Sequence, residues 1–286
     1  MSSSTKESRS SKGNESTDKE IELIVSKVKY HIKLQQFAKY SLKIQKLQET
    51  GCLPNCINLS AYDKQAVKIL VRYIRNVDQK GITLSFYTLA DLIDLSRSLL
   101  MLRLLQQLEQ ILVELASQET NALIQALIIV GSDRSIFGGI AARQKIEKIA
   151  AVKFHDIVQH KLFGCIPPVV FANVIARCDL NVRSEMDVVD AGIVWIWQQK
   201  KLLISSAFVF SRIRSALLSR GDCRTIEKLL KTLPNGDKMI PFIMTTLAST
   251  SCRRCCVIKE HVDKGMIRCG APNPSDDATV NVRKLP

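Results

Sequence analysis

The 286-residue sequence lacks the long apolar segments that form transmembrane helices or signal peptides. No uncharged apolar run approaches the roughly 18 residues of a transmembrane helix. The longest candidate, 202–218, is interrupted by four serines and two arginines. The first twenty residues are polar and contain no apolar core of a signal peptide. We therefore expect no membrane partner and a cytoplasmic protein, with the nucleus as the alternative location.

Motifs of common catalytic and nucleotide-binding sites are also missing. The sequence contains no GxSxG, no P-loop, no GxGxxG and no HExxH. The pair Gly138-Gly139 lies in a predicted helix and lacks the Lys-Ser/Thr of a phosphate loop. His155 and His160 are five residues apart, so they do not share a helix face at i,i+4 spacing. We expect neither an enzyme nor a cofactor.

Acidic residues are outnumbered by basic ones, 27 to 41, which gives a net charge of +14. This charge favours contact with an acidic partner, whether nucleic acid, an anionic membrane or an acidic protein. The basic residues are scattered, however, with no run of five and no interleaved aromatic stripe. We favour a solvated basic surface, and keep a nucleic-acid-associated regulator as an alternative function.

Nine cysteines, an odd number without a signal peptide, indicate free thiols in a reducing compartment. Near the C-terminus, Cys252 and Cys255 form a CxxC step, and His261 and Cys269 could complete a tetrahedral zinc site. The spacing to the last ligand matches no common zinc finger. Free thiols in a basic tail are therefore the favoured interpretation.

The N-terminal part of the chain mixes strand and helix patterns. Residues 1–18, rich in Ser, Lys, Glu and Gly, predict a disordered tail. Period-2 alternation predicts strands, and 3.6-residue periodicity predicts helices. The predicted strands are 20–25, 28–31, 56–59 and 82–84, and the predicted helices are 32–47, one starting at Asp63, 87–97 and 99–115.

From residue 119 the pattern is helical. The predicted helices are 121–130, 136–153, 168–175, 180–199, 206–218, 222–233 and 237–247. The predicted buried side of 136–153 comprises Ile140, Ala141, Ile146, Ile149 and Ala150. In 180–199, Ser184 is a natural N-cap and Asp187 stands where a capping box places an acid. Apolar residues cover more than one stripe of that helix, which predicts packing between neighbours.

The same segment carries the pattern L-N-V-x-S-E-x-x-V-x-x-A-x-x-x-W. Its residues are Leu180, Asn181, Val182, Ser184, Glu185, Val188, Ala191 and Trp195. This pattern resembles the signature of the BACK domain, which follows the BTB domain in Kelch-like proteins. The resemblance implies a domain of successive antiparallel helix pairs. The alternative is an ordinary capped helix with a buried tryptophan.

The preceding residues resemble a BTB (POZ) domain. Residues 20–25 stand where the family has D-V-x-L-x-V, and AVKILVRYI at 66–74 is similar to its F-x-x-L-L-x-Y-I-Y. The matching single positions are Tyr30, Phe37, Ser41 and Ile44. We therefore predict an α+β BTB domain at 19–117, an all-α BACK domain at 118–235, and a C-terminal helix with a cysteine-bearing tail at 236–286. The chain would be predominantly α overall.

Departures from the family pattern bear on assembly. Glu20 and Lys33 stand where the family usually has an Asp and a His that meet inside the fold. We hypothesise an internal polar pair between them. Residues 1–18 contain no Leu, Ile, Val or Phe, so the swapped first helix of the BTB homodimer is not recognisable. We keep both a BTB homodimer and a BTB heterodimer as alternative assemblies. Repeats of about 50 residues, the mark of a Kelch propeller, are absent from the sequence.

The resemblance implies a protein-interaction adaptor. Related proteins bind the cullin-3 scaffold through a hydrophobic-x-Glu motif, and Leu47-Gln48-Glu49 has that form. The leucine would fill an apolar groove and the carboxylate would accept a hydrogen bond at its rim. The first BACK helices, about 121–153, would add a second contact. The expected function is recruitment of an unknown substrate protein to a ubiquitin ligase. The alternative is a BTB-mediated scaffold without cullin binding.

Overall fold

The computed structural model describes residues 19–77, 84–132 and 140–250. Several predictions fall outside these residues. They are the disordered tail at 1–18, nearly all of the strand at 82–84, Gly138-Gly139, the start of the 136–153 helix, and the cysteine-bearing tail with its zinc candidates. The chain divides into two compact units, Met1–Leu105 and Gln106–Pro286.

The first unit contains a three-stranded sheet. Its strands are β1 (Glu20–Val25), β2 (Val28–Lys33) and β3 (Cys56–Asn58), in the order β2-β1-β3. β2 runs antiparallel to β1, and β3 runs parallel to it. Ile21, Leu23 and Val25 alternate along β1 and are fully buried. Since alternate strand residues face opposite sides, one face of the central strand is built into the core.

Four helices complete this unit, and a fifth leads out of it. They are α1 (Leu34–Tyr40), α2 (Leu42–Glu49), α3 (Lys64–Ile74), α4 (Phe86–Ser98) and α5 (Leu102–Gln118). The single helix predicted at 32–47 is wrong, because Ile32 belongs to β2 and the chain breaks at Ser41. Ser41 has an extended backbone, and its hydroxyl accepts a hydrogen bond from the Ile44 N–H. It therefore ends one helix and caps the next.

The second unit is helical throughout its described residues. After α5 it contains α6 (Thr120–Val130), α7 (Ile140–Val152), α8 (Phe154–Val158), α9 (Pro168–Ala176), α10 (Glu185–Trp197), α11 (Leu202–Phe210), α12 (Arg220–Lys231) and α13 (Gly236–Thr250). Short 3₁₀ turns lie at Phe163–Cys165 and Ser215–Leu217. The predicted class, a small α+β region followed by an all-α region and mainly helical overall, is confirmed.

Two local predictions in this unit are wrong. The helix predicted at 206–218 instead starts at Leu202 and ends at Phe210, because the following turn buries Ile213 and ties the Arg214 N–H to Glu185. On α7, Ala141 is exposed rather than buried. Since Ile146 and Ala150 are fully buried, Ala141 lies off the face that they define.

Helix α10 occupies the middle of this unit and packs against α11 and α12. Seven of its apolar positions are buried: Val188, Val189, Ala191, Gly192, Ile193, Trp195 and Ile196. Gly192 allows the close approach of α11, since a Cβ there would lie 2.5 Å from Val209 Cγ1. The predicted central helix is thus confirmed. No helix among the described residues has the length and apolar character to cross a membrane.

Candidate functional site

The signature segment forms the core of the helical unit. Its buried members are Leu180, Val182, Glu185, Val188, Ala191 and Trp195. The other two, Asn181 and Ser184, are exposed and hydrogen-bonded. The Asn181 N–H donates to the Ala151 carbonyl over 2.9 Å. This bond attaches the loop before α10 to the end of α7, so even the exposed members position the helix.

Trp195 anchors α10 from inside. It is fully buried, and its Nε1–H donates to the Ile166 carbonyl over 3.1 Å. Its ring stacks on Phe171 with centroids 4.9 Å apart, and Phe171 meets Phe163 edge-on at 5.3 Å. The indole satisfies its only donor and contributes a large apolar surface. Trp195 is therefore a structural residue of the core.

Glu185 is the buried charge of the segment, with 3% of its surface exposed. Its Oε1 accepts the backbone N–H of Arg214 over 2.8 Å. The Arg214 guanidinium in turn donates to the Ala176 carbonyl over 2.8 Å. This arrangement joins the start of α10, the end of α9 and the turn after α11. A carboxylate with a hydrogen-bond partner is tolerated in such a place, whereas an unpaired one would be costly.

The cap of α10 differs in one detail from the prediction. The Ser184 hydroxyl accepts the Asp187 N–H over 3.3 Å, as expected. The Asp187 carboxylate, however, accepts the N–H of Arg183 over 2.9 Å, one residue before the cap. Burial opposes ionisation of Asp187, but the hydrogen bonds and charge of Arg183 prevail and lower the pKa of Asp187 below its usual 3.8. A true capping box, which the sequence interpretation missed, lies at Ser219 and Asp222.

Beside this helix lies an open cleft of about 690 Å³. Its walls come from α8, from the loop before α10, and from the outer face of α10. The lining residues are Phe154, His155, Val158, Asn181, Val182, Arg183, Asp187, Asp190, Ala191 and Val194. The cleft therefore combines apolar walls with two carboxylates, a guanidinium and an imidazole. Its volume is within the range of small-ligand and side-chain pockets.

The same region is the one that comparison with known proteins identifies. Residues 137–227 match the BACK family model, BTB And C-terminal Kelch. This segment is similar to a BACK domain. The match covers less than half of the 286-residue chain and includes the whole of α10 and the cleft. It supports a protein of BTB/BACK type. No curated protein matches the chain.

Outside the BACK match, the Leu47-Gln48-Glu49 motif forms the last turn of α2. Gln48 and Glu49 are exposed, and Leu47 is half-buried. The Gln45 amide donates to Glu49 Oε1 over 3.1 Å, which holds the carboxylate at the helix surface. The motif is thus accessible on a regular helix. Its predicted role in cullin binding stays a prediction.

Apolar side chains are also exposed where α2 begins. Leu42, Leu100 and Leu102 are 47%, 42% and 57% exposed. The Leu42 N–H donates to the Leu100 carbonyl over 3.3 Å, which joins the α1–α2 break to the turn between α4 and α5. The periodicity of the sequence could not reveal this patch, because its residues come from two segments that meet only in the fold.

The hypothesised pair of Glu20 and Lys33 has a different setting from the one predicted. The two residues are direct partners across β1 and β2. Both are exposed, so they are not internal as the family comparison implied. The physical reason is that the two residues form the last pair of the β1–β2 ladder, where both strands end. Whether they form an ion pair stays a prediction.

Among the residues that the structure describes, no cluster of three or more His, Cys, Asp or Glu could hold a metal ion. The zinc candidates Cys252, Cys255, His261 and Cys269 lie beyond residue 250 and outside that part. The zinc site therefore stays a prediction.

Proposed function

We propose that this protein is a protein-interaction adaptor that docks a target to a cullin-3 ubiquitin ligase through its N-terminal unit. The BACK domain at 137–227 carries the proposal, because proteins of BTB/BACK type act by binding other proteins. The mechanism is proximity. By holding target and ligase together, the adaptor raises their effective concentration without taking part in the chemistry.

The contact with cullin-3 is proposed at the end of α2. Leu47 would seat in an apolar groove of the partner, and Glu49 would accept a hydrogen bond at the rim. The exposed patch of Leu42, Leu100 and Leu102 would extend the apolar part of this surface. Exposed leucines that cluster on one side of a unit are typical of a partner-binding surface.

A pull-down with the purified N-terminal domain of cullin-3 tests the proposal. The full-length chain should bind, and Leu47→Asp and Glu49→Lys should each weaken binding by about 30-fold or more, the effect of losing an interface hot spot. Glu49→Lys is the cleaner variant, because Glu49 is exposed whereas Leu47 is half-buried. Circular dichroism should report an unchanged helix content for both variants.

Glu114→Lys is the matched control. Glu114 is exposed and accepts an amide hydrogen bond from Gln110, four residues earlier, over 2.9 Å, as Glu49 does from Gln45. The two variants therefore make the same local change on different helices. Equal loss of binding in both would assign the effect to net charge. No binding by the unaltered chain would leave the alternative, a BTB-mediated scaffold without cullin.

A further inference from the structure

One stripe of α10 is largely uncovered, whereas most of the rest of the helix is buried. Asp187, Asp190, Val194 and Trp197 follow one another at spacings of three, four and three residues, which places them on one face. Val194 is 44% exposed and Trp197 51% exposed. The stripe has two carboxylates at its N-terminal end and two apolar side chains at its C-terminal end. It spans about 15 Å at 1.5 Å per residue.

The cleft adds depth to the acidic end of this stripe. Asp187, Asp190 and Val194 line it, opposite Phe154 and Val158 from α8. A side chain entering the cleft would therefore meet apolar side chains and carboxylates together. Long cationic side chains combine an apolar stem with a charged head, which suits both kinds of contact.

The two carboxylates are not equivalent. Asp187 already accepts hydrogen bonds from Arg183. The Asp190 carboxylate makes no hydrogen bond or ion pair within the described part of the chain. Partial burial raises the pKa of Asp190, and the nearby Asp187 carboxylate raises it further. Because Arg183 already pairs with Asp187, Asp190 is the acceptor that a cationic side chain of a ligand would satisfy.

We propose that the outer stripe of α10 and its cleft bind a short helical segment of a partner protein, with Lys or Arg at one end and apolar side chains towards the other. The basic end would meet Asp190, and the apolar end would cover Val194 and Trp197. Identifying this segment with the recruited target rests on the proposed adaptor function. The binding itself does not.

Charge complementarity selects this occupant over others. The chain as a whole carries +14, so its general field repels cationic ligands and attracts nucleic acid and anionic lipid. At this place Arg183 pairs with Asp187, and the Asp190 carboxylate is left to favour a cationic side chain over an anionic partner. The half-exposed Trp197 at the other end of the stripe is the kind of residue on which helical partners anchor.

Fluorescence anisotropy of a labelled synthetic peptide tests the proposal with the full-length chain. The probe is a 14-residue amphipathic helix of Leu and Lys, with its lysines concentrated in one half. The comparison peptide has every Lys replaced by Glu. The structure leads us to expect that the lysine peptide binds and that the glutamate peptide does not, against the net charge of the protein.

Site variants and controls locate the contact. Asp190→Asn and Trp197→Ser should each weaken binding of the lysine peptide by about tenfold, the effect of removing a charge-assisted hydrogen bond or an aromatic anchor. Asp156→Asn and Val152→Ser change exposed residues that do not line the cleft, and should stay within about twofold. Asp190→Asn should also unfold at the same or a higher urea concentration than the unaltered chain, because it removes repulsion with Asp187.

Equal affinity for the two peptides would overturn the proposal, as would equal effects of site and control variants. Either result would mean that the peptides bind the protein surface without preference for the α10 stripe and its cleft. Because the cullin contact is tested at Leu47 and Glu49 and this one at Asp190 and Trp197, one proposal can fail while the other holds.

Discussion

The two tryptophans of α10 lie two residues apart and have opposite roles. Trp195 is fully buried, stacks on Phe171 and donates its N–H to the Ile166 carbonyl. Trp197 is half-exposed at the end of the outer stripe. Successive residues of a helix point about 100° apart. Two side chains that are two residues apart therefore point in nearly opposite directions, one inward and the other outward.

We expect Trp195→Phe to destabilise the protein by about 2–3 kcal/mol, because it leaves the buried Ile166 carbonyl unpaired and opens space beside Phe171. Trp197→Phe should cost less than about 0.5 kcal/mol, as surface substitutions usually do. Urea unfolding followed by far-ultraviolet circular dichroism measures both. Similar costs for the two variants would contradict the assignment of Trp195 as the internal anchor.

At the scale of secondary structure, Ser41 explains why a single predicted helix becomes two. Only 1% of its surface is exposed. Its hydroxyl accepts the Ile44 N–H over 3.2 Å and donates to the Leu99 carbonyl over 2.6 Å. One side chain thus caps α2 and attaches it to the end of α4. The break also sets the direction of α2 and of the Leu47-Gln48-Glu49 motif that it presents.

Ser41→Ala should destabilise the protein by about 2–3 kcal/mol, because it removes a cap and leaves a buried carbonyl without its donor. Ser184→Ala is the control, since Ser184 also caps a helix but is exposed. Loss of an exposed cap costs about 1 kcal/mol. Thermal unfolding of the three proteins compares them. If Ser41→Ala cost no more than Ser184→Ala, the bond to Leu99 would have no structural importance.

At the scale of the whole molecule, charge governs the response to acid. Burial opposes ionisation of Asp179, but the Arg177 guanidinium holds it through two bonds of 2.7 Å and lowers the pKa of Asp179 below 3.8. The pKa of Asp187 is lowered as well. Both carboxylates therefore stabilise the fold above pH 3.8, and this contribution is lost as the pH falls through their folded values. Protonation of the other acids leaves 41 basic residues to repel one another.

The free energy of unfolding should accordingly fall steeply below about pH 4. Asp179→Asn should be less stable than the unaltered chain at pH 7 and should lose less on acidification, because one of the ion pairs is already gone. Urea unfolding at pH 7, 5, 4 and 3 gives the profile. Parallel curves for the two proteins would show that the bond to Arg177 contributes nothing to folding.

The helices and their periodic faces could largely be predicted, because periodicity is a local property of the chain. Trp195, Val188 and Ala191 were expected inside and lie inside. The breaks at Ser41 and after Phe210 could not be predicted, because each depends on a distant partner, Leu99 in one case and Glu185 in the other. The spacing of Asp190, Val194 and Trp197 places them on one helix face, but spacing alone could not show that this face stays uncovered.

By itself, the sequence determined the helical class, the central position of α10 and the BACK signature, since these depend on residue types at short, fixed spacings. Tertiary structure alone decided which side chains stay uncovered. Leu42 and Leu100 are brought together from segments far apart in the chain, and Asp190 lines a cleft whose opposite wall belongs to α8. Exposure is a property of how elements pack on one another, so it is not encoded in the period of any one of them.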